Sequence, residues 1–380
     1  MPFAVPRYGE ATLSDVMPSV LAALEVESDN RLGLPSAQRI VVLLVDGMGL
    51  VGLRAHSKAA PFMSAMSCTE LAAGFPSTTV TSLASLSTGV PAGQHAMTGY
   101  TSYVTDVDAP VNWLAWKPVG RSDDLRDRLV PEVVQPEATT WQRAADAGVA
   151  VAIVSARSYE GSGLTRAVFR GGGYHGTVAA GDAVATTVDL ADRGHRSLVY
   201  TYISDLDLVG HVRGPASDAW VAQLELVDRQ VEALAARLPA GTTLLVTADH
   251  GMAAMQQDET VDADADGSPL RDGVVAVAGE PRMRHVHAVP GAAADVQATW
   301  AAMLGDRAWV LSGDAAVDAG LFGPVVTPLA RSRIGDVLAI ARGGAGIVQR
   351  RRESLSSMLP GHHGALTDDE LLVPLLSLSL

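Results

Sequence analysis

Three strand-like stretches with apolar centres punctuate the chain, and each one stops at acidic residues. Val41-Val42-Leu43-Leu44-Val45 ends at Asp46, Leu198–Ile203 runs into Asp205-Leu206-Asp207, and Thr242–Thr247 stops at Ala248-Asp249-His250. The unbroken apolar run Val41–Val45 is the pattern of a strand buried on both faces, as in a parallel sheet covered by helices, and the other two read as strands that end the same way. Val149–Val154 is a fourth such stretch. Helical spacing separates them: Leu13–Leu24, residues 50–66, Thr139–Ala147 and residues 179–192. After Pro215, Trp220, Leu224, Val227, Val231 and Leu234 recur every three or four residues and make one buried stripe. A short strand at Thr69–Ala73 precedes the proline turn Phe75-Pro76-Ser77-Thr78-Thr79, which leads into a helix carrying Leu83 and Leu86. Strands alternating with helices predict an α/β fold, a mostly parallel central sheet sandwiched by helices. Residues 100–135 show no sustained period, and Arg170–His175, rich in glycine, reads as a loop.

The texture changes at about residue 255. An acidic loop with Asp258, Asp262, Asp264 and Asp266 precedes His285–Val289, a helix over 292–304, Ala308–Leu311 and a short helix at 313–319. This β-α-β-α order predicts a small inserted α+β cap over 255–335, between the two parts of a core at 1–254 and 336–380. Val337–Ile340 and Ile347–Val348 read as further strands, and the apolar tail to Leu380 as helix or strand.

Composition narrows the function classes. The chain has 380 residues, 48% hydrophobic and 18% charged, which is globular. Its net charge of −14 argues against a nucleic-acid polymer or an anionic membrane as partner. Cys68 is the only cysteine, so no internal disulfide and no multi-thiolate zinc site can form. No apolar run is long enough to span a bilayer and Met1–Arg7 lacks a signal-peptide pattern, so the expected location is cytoplasmic.

The chemistry gathers at the strand ends. Open α/β sheets collect ligands at the carboxyl ends of their strands. A single aspartate there is ordinarily a helix cap. Three that converge, Asp46, Asp207 and Asp249, repel one another unless a cation lies between them. His211 and His250 sit beside the last two, and His362 and His363 lie near the C-terminus. A mixed Asp/His set suits zinc or another divalent transition metal such as manganese. Asp249 with His250 can reach one ion and Asp207 with His211 another; two ions about 3.5–4 Å apart are a usual clamp for phosphoryl transfer. A rival reading exists. Gly47-x-Gly49-x-x-Gly52 follows a strand, with Glu70 about 20 residues on, as in the fingerprint of dinucleotide-binding oxidoreductases. That reading leaves both Asp–His pairs unexplained.

Four motifs in fixed order carry a family resemblance. They are Val45-Asp46-Gly47-Met48, Phe75-Pro76-x-x-Thr79, Asp207-x-x-Gly210-His211 followed by Gly214-Pro215, and Ala248-Asp249-His250-Gly251-Met252, with His363-Gly364 as a fifth. Together they resemble the alkaline phosphatase superfamily, most closely its type I phosphodiesterase / nucleotide pyrophosphatase branch. The resemblance implies an alkaline-phosphatase-like core and two divalent metal ions, zinc foremost. Asp46, Asp249 and His250 would hold one ion together with the nucleophile Thr79; Asp207, His211 and His363 would hold the other. It further implies metal-dependent hydrolysis of phosphodiester or nucleotide pyrophosphate bonds through a phosphothreonine intermediate, acting on a small phosphate ester or nucleotide. Ser77 follows the proline where the branch usually carries asparagine, and Asn112 is the downstream candidate for a phosphate contact. Arg282, Arg284, His285 and His287 form a basic cluster in an acidic chain and are candidate substrate contacts. That cluster also keeps a phosphomonoesterase or phosphoglycerate-mutase-like phosphotransferase in view, since such enzymes need basic residues for a second anionic group.

Overall fold

A computed structural model describes residues 3–380. Its centre is a seven-stranded sheet in the order Ser67–Ala72, Leu372–Ser379, Thr242–Thr247, Arg39–Val45, Ser197–Ile203, Ala150–Ala156, Gly173–Thr177. The last five strands run parallel, and the C-terminal strand pairs antiparallel with Thr242–Thr247 on one side and Ser67–Ala72 on the other. Every residue from Ile40 to Val45 is buried, although neighbouring side chains point to opposite faces, so both faces of this strand are covered. Helices Leu13–Ala23, Thr79–Thr88 and Asp218–Ala235 contribute to the same apolar cluster as the strands. The apolar tail is therefore a strand, and it lies between Thr242–Thr247 and the edge strand Ser67–Ala72.

Local departures have local causes. The helix expected over 50–66 is broken into Leu50–Ala55 and Pro61–Ser64, because a proline cannot continue the helical hydrogen bonding. Gly173–Thr177, expected as part of a loop, is the edge strand of the main sheet. Residues 100–135 contain a small antiparallel sheet of Thr101–Val104, Ala109–Asn112 and Lys117–Pro118. Strands of two to four residues are too short for a period to emerge.

A second sheet has the order Val274–Glu280, Met283–Ala288, Val337–Ala341, Ala308–Ser312, antiparallel throughout. The helix Ala293–Leu304 covers it with the buried Trp300. The cap expected over 255–335 takes in most of this sheet, with two differences from expectation. Val274–Glu280 is an additional strand. Val337–Ala341 lies inside the second sheet, so the expected boundary at 336 passes through it. Gly346–Val348 pairs with Thr260–Asp262 in the same region. No helix among the described residues is long and apolar enough to cross a membrane.

Candidate metal centre

The register of three adjacent parallel strands sets the site. Val45 is paired with Ile203 and Leu44 with Thr247, so the residues that follow these strand ends emerge side by side. Asp46 follows directly on its strand; Asp249 lies two residues past Thr247; Asp207 sits in the first turn of the helix Asp205–Arg213. Gly47 turns the chain at φ +73, and a side chain there would come within 3.0 Å of Asp207 Cα and Cβ. Its backbone N–H donates to Asp249 Oδ1 at 3.1 Å, tying the first strand end to the third.

The ligating atoms fall into two groups, Asp46 with Asp249 and His250, and Asp207 with His211 and His363, each within 4.8 Å. Three histidines are fixed in one tautomer by the backbone. His211 Nδ1 donates to the Gly361 carbonyl at 2.8 Å, His250 Nδ1 to Gly251 at 2.9 Å and His363 Nδ1 to Ser77 at 3.0 Å. With Nδ1 engaged in this way, each ring turns its Nε2 to carboxylate: 3.3 Å from Asp207 for His211, 3.5 Å and 3.4 Å from Asp46 and Asp249 for His250, and 4.0 Å from Asp207 for His363. Lone pairs facing carboxylate oxygens are repulsive unless a cation lies between, and orienting a ligand imidazole through its other nitrogen is how metal sites are built. Oδ1 of Asp46, Oδ1 of Asp207 and Oδ2 of Asp249 are buried without any hydrogen-bond partner. Burial, with Asp249 and Asp207 nearby, drives the Asp46 carboxyl well above the usual carboxylate range, and burial raises Asp207 too. Orphaned buried oxygens and aimed lone pairs fit divalent cations.

Thr79 is the first residue of the helix Thr79–Thr88, and Thr78 precedes it in an extended conformation without capping the helix through its side chain. The first N–H groups of that helix have no helical partner and point out of its end. Thr79 Oγ1 lies 3.2 Å from His250 Nε2. Because the Nδ1 of that ring is a donor, the threonine hydroxyl is the donor in this contact. His362, the alternative to His363, is turned the other way, its Nε2 donating to the Ser356 carbonyl at 2.9 Å.

Other expected contacts lie elsewhere. Asn112 caps a turn, its Oδ1 accepting from the N–H groups of Leu114 and Ala115, while its Nδ2 donates to Tyr100 Oη at 2.5 Å. It therefore bears on the site through Tyr100, which lines the cavity, and Asn112 itself does not. The basic cluster is a correction. Arg282 is fully buried in a two-pronged pair with Glu370, at 3.0 Å and 2.8 Å; Arg284 is held the same way by Glu353, at 3.1 Å and 2.7 Å. His285 bridges the Thr98 carbonyl and the Gly335 N–H, and His287 packs on Tyr103. None of the four lines the cavity at the metal ligands. The glycine fingerprint also has another use: a side chain on Gly49 would come 2.6 Å from Gly251 Cα, so these glycines let two ligand-bearing loops pack together.

Beside the ligands opens a cavity of about 510 Å³. Sequence reasoning missed most of its wall. Tyr202, opposite Leu44 in the strand register, donates from its hydroxyl to Asp46 Oδ2. Glu280, the last residue of its strand, lies with Oε2 3.6 Å from His363 Nδ1 and is held well above the usual carboxylate range by burial. A lone glutamate closing an apolar strand was the signal available for it.

Comparison with known proteins gives the family and the fold. Residues 40–366 match the type I phosphodiesterase / nucleotide pyrophosphatase family. Murine ectonucleotide pyrophosphatase / phosphodiesterase 5 is similar in structure with a TM-score of 0.68 at 17% identity, over 89% of this chain and 87% of that one. Phosphonoacetate hydrolase from Sinorhizobium meliloti 1021, solved with phosphonoacetate, gives 0.67 at 18% identity over 93% and 92%. Phosphopentomutase from Anaeromyxobacter sp. (strain K) is 33% identical over 134 residues, 34% of this chain, and the chain spans about a third of that relative, 31%. The match from the first buried strand to just past His363 takes in all five motifs, and the chain belongs to the type I phosphodiesterase / nucleotide pyrophosphatase family.

Proposed function

We propose that this chain is a divalent-metal-dependent phosphodiesterase with Thr79 as its nucleophile. The observation that carries the reading is the convergence of three tautomer-fixed histidines and three partnerless carboxylate oxygens beside the Thr79 hydroxyl. Asp46, Asp249 and His250, with Thr79, would hold one ion, and Asp207, His211 and His363 the other. Bound there, zinc or manganese supplies positive charge that lowers the pKa of the threonine hydroxyl and offsets the charge of the phosphoryl group.

The chain's own groups account for the remaining requirements. The free N–H groups at the start of the helix Thr79–Thr88 face an anion and hold the non-bridging phosphate oxygens. As its proton passes to water, Thr79 Oγ1 forms a bond to phosphorus while the ester bond on the far side breaks; the departing alkoxide takes up a proton from water, and the Thr79 ester, which still carries the second ester group, is then cleaved by water. Backbone carbonyls hold the three imidazoles, so the site needs no reorganisation as charge moves. The monoesterase or mutase-like alternative rested on the basic cluster, and the pairing of Arg282 with Glu370 and Arg284 with Glu353 withdraws that support.

Two measurements test the reading. Elemental analysis should find near two zinc or manganese ions per chain, fewer in Asp249→Ala. Steady-state rates of the metal-loaded protein on bis(p-nitrophenyl) phosphate and p-nitrophenyl phosphate should favour the diester. Equal or reversed preference sinks the diester reading.

A further inference from the structure

We infer that the cavity takes substrates with a single phosphorus and an uncharged apolar or aromatic ester group, and rejects those bearing a second phosphate. This rests on the phosphohydrolase reading, and narrows it. Among the described residues that line the cavity there is no lysine or arginine. Away from the metal ligands the wall is built by Leu83, Leu114, Tyr159, Leu164, Phe169 and Tyr174, with serine and threonine hydroxyls between them. Tyr159 and Tyr202, both in this wall, pack edge to face with ring centroids 6.3 Å apart at 69°.

Charge decides what this wall excludes. Among the described residues, the other carboxylates lining the cavity besides Asp46 and Asp207 are Glu280 and Glu353. The two guanidinium groups of the basic cluster are engaged by Glu370 and Glu353. A first phosphate meets the metal ligands and the helix N-terminus. A second would lose its hydration with no charged donor to replace it, which makes its burial unfavourable. An uncharged ring meets the opposite balance, apolar area to cover and hydroxyls to accept or donate, in a space of about 510 Å³ that suits a nucleoside-sized group.

Calorimetric titration of the desalted, zinc-loaded protein with thymidine 5′-monophosphate and thymidine 5′-diphosphate tests this, because the two differ only by the second phosphate. The monophosphate should bind at least about tenfold more tightly. Leu114→Lys places a cation on the half-exposed rim of the cavity and should narrow that ratio at least about threefold. Equal or tighter binding of the diphosphate by the wild type overturns the inference, and so does an unchanged ratio in Leu114→Lys. A monophosphate preference without any turnover of diesters would uphold it while removing the hydrolase reading, so the two fail separately.

Discussion

The Thr79 hydroxyl lies 3.2 Å from His250 Nε2, across 171 residues of sequence. The contact places the oxygen among the atoms of one candidate metal group while the helix behind it points free N–H groups at the same spot. Thr79→Ala should abolish turnover of a diester, by at least about 10³-fold in kcat. Thr79→Ser, which keeps the oxygen, should retain measurable activity. Intact-mass spectrometry of rapidly quenched wild type should find a covalent adduct that Thr79→Ala lacks; full activity in Thr79→Ala would exclude it as nucleophile.

Chelation should reverse the sign of one substitution. Without cations, the partnerless oxygens of Asp46, Asp207 and Asp249 are buried, and the charges of Asp249 and Asp207 bear on Asp46. Asp46→Asn removes one of those charges, so it should raise Tm in excess chelator and lower it in excess zinc, where it removes a ligand. Thermal melts under both conditions read this directly. A decrease of equal size in both would mean that Asp46 serves packing alone.

Arg282 should matter for stability and little for substrate. Both it and Glu370 are fully buried, and removing one partner leaves the other charge unpaired. Arg282→Ala is expected to lose about 3–5 kcal/mol of folding stability. At temperatures where it remains folded, its KM for a diester should stay within about twofold of wild type. A large rise in KM with unchanged stability would restore Arg282 as a substrate contact.

Two buried histidines give the fold an acid limit. His95 Nδ1 accepts from the Met97 N–H and its Nε2 meets Ser85 Oγ, while His285 bridges a carbonyl and an N–H, so both are held neutral. Burial lowers each from 6.5 to about 3. The unfolded chain binds these protons first, so their stabilisation is complete above pH 6.5 and is lost as the pH falls from there towards 3. At pH 5 the loss is about 2 kcal/mol per histidine. Denaturant unfolding between pH 7 and pH 5 should therefore show a smaller change in His285→Asn than in wild type; identical slopes would remove His285 from the account.

By itself the sequence determined the frame of the site. An uninterrupted apolar run such as Val41–Val45 is buried between two covering layers, and parallel strands in such a sheet deliver their next residues to one edge, which is why Asp46, Asp207 and Asp249 could be grouped before any coordinates. Tertiary structure decided what each remaining polar residue does, since that depends on partners the local pattern does not name. His363 and His362 are neighbours in sequence, and the Ser77 and Ser356 carbonyls turn their rings in different directions. Arg282 and Arg284 looked like an open basic cluster until Glu370, 88 residues on, and Glu353, 69 residues on, came to meet them. The cavity wall came from residues 83 to 174 folding beside the ligands, where short strands and single aromatic residues carry no period to read. A charge is legible in sequence; its neutralisation is a property of the fold.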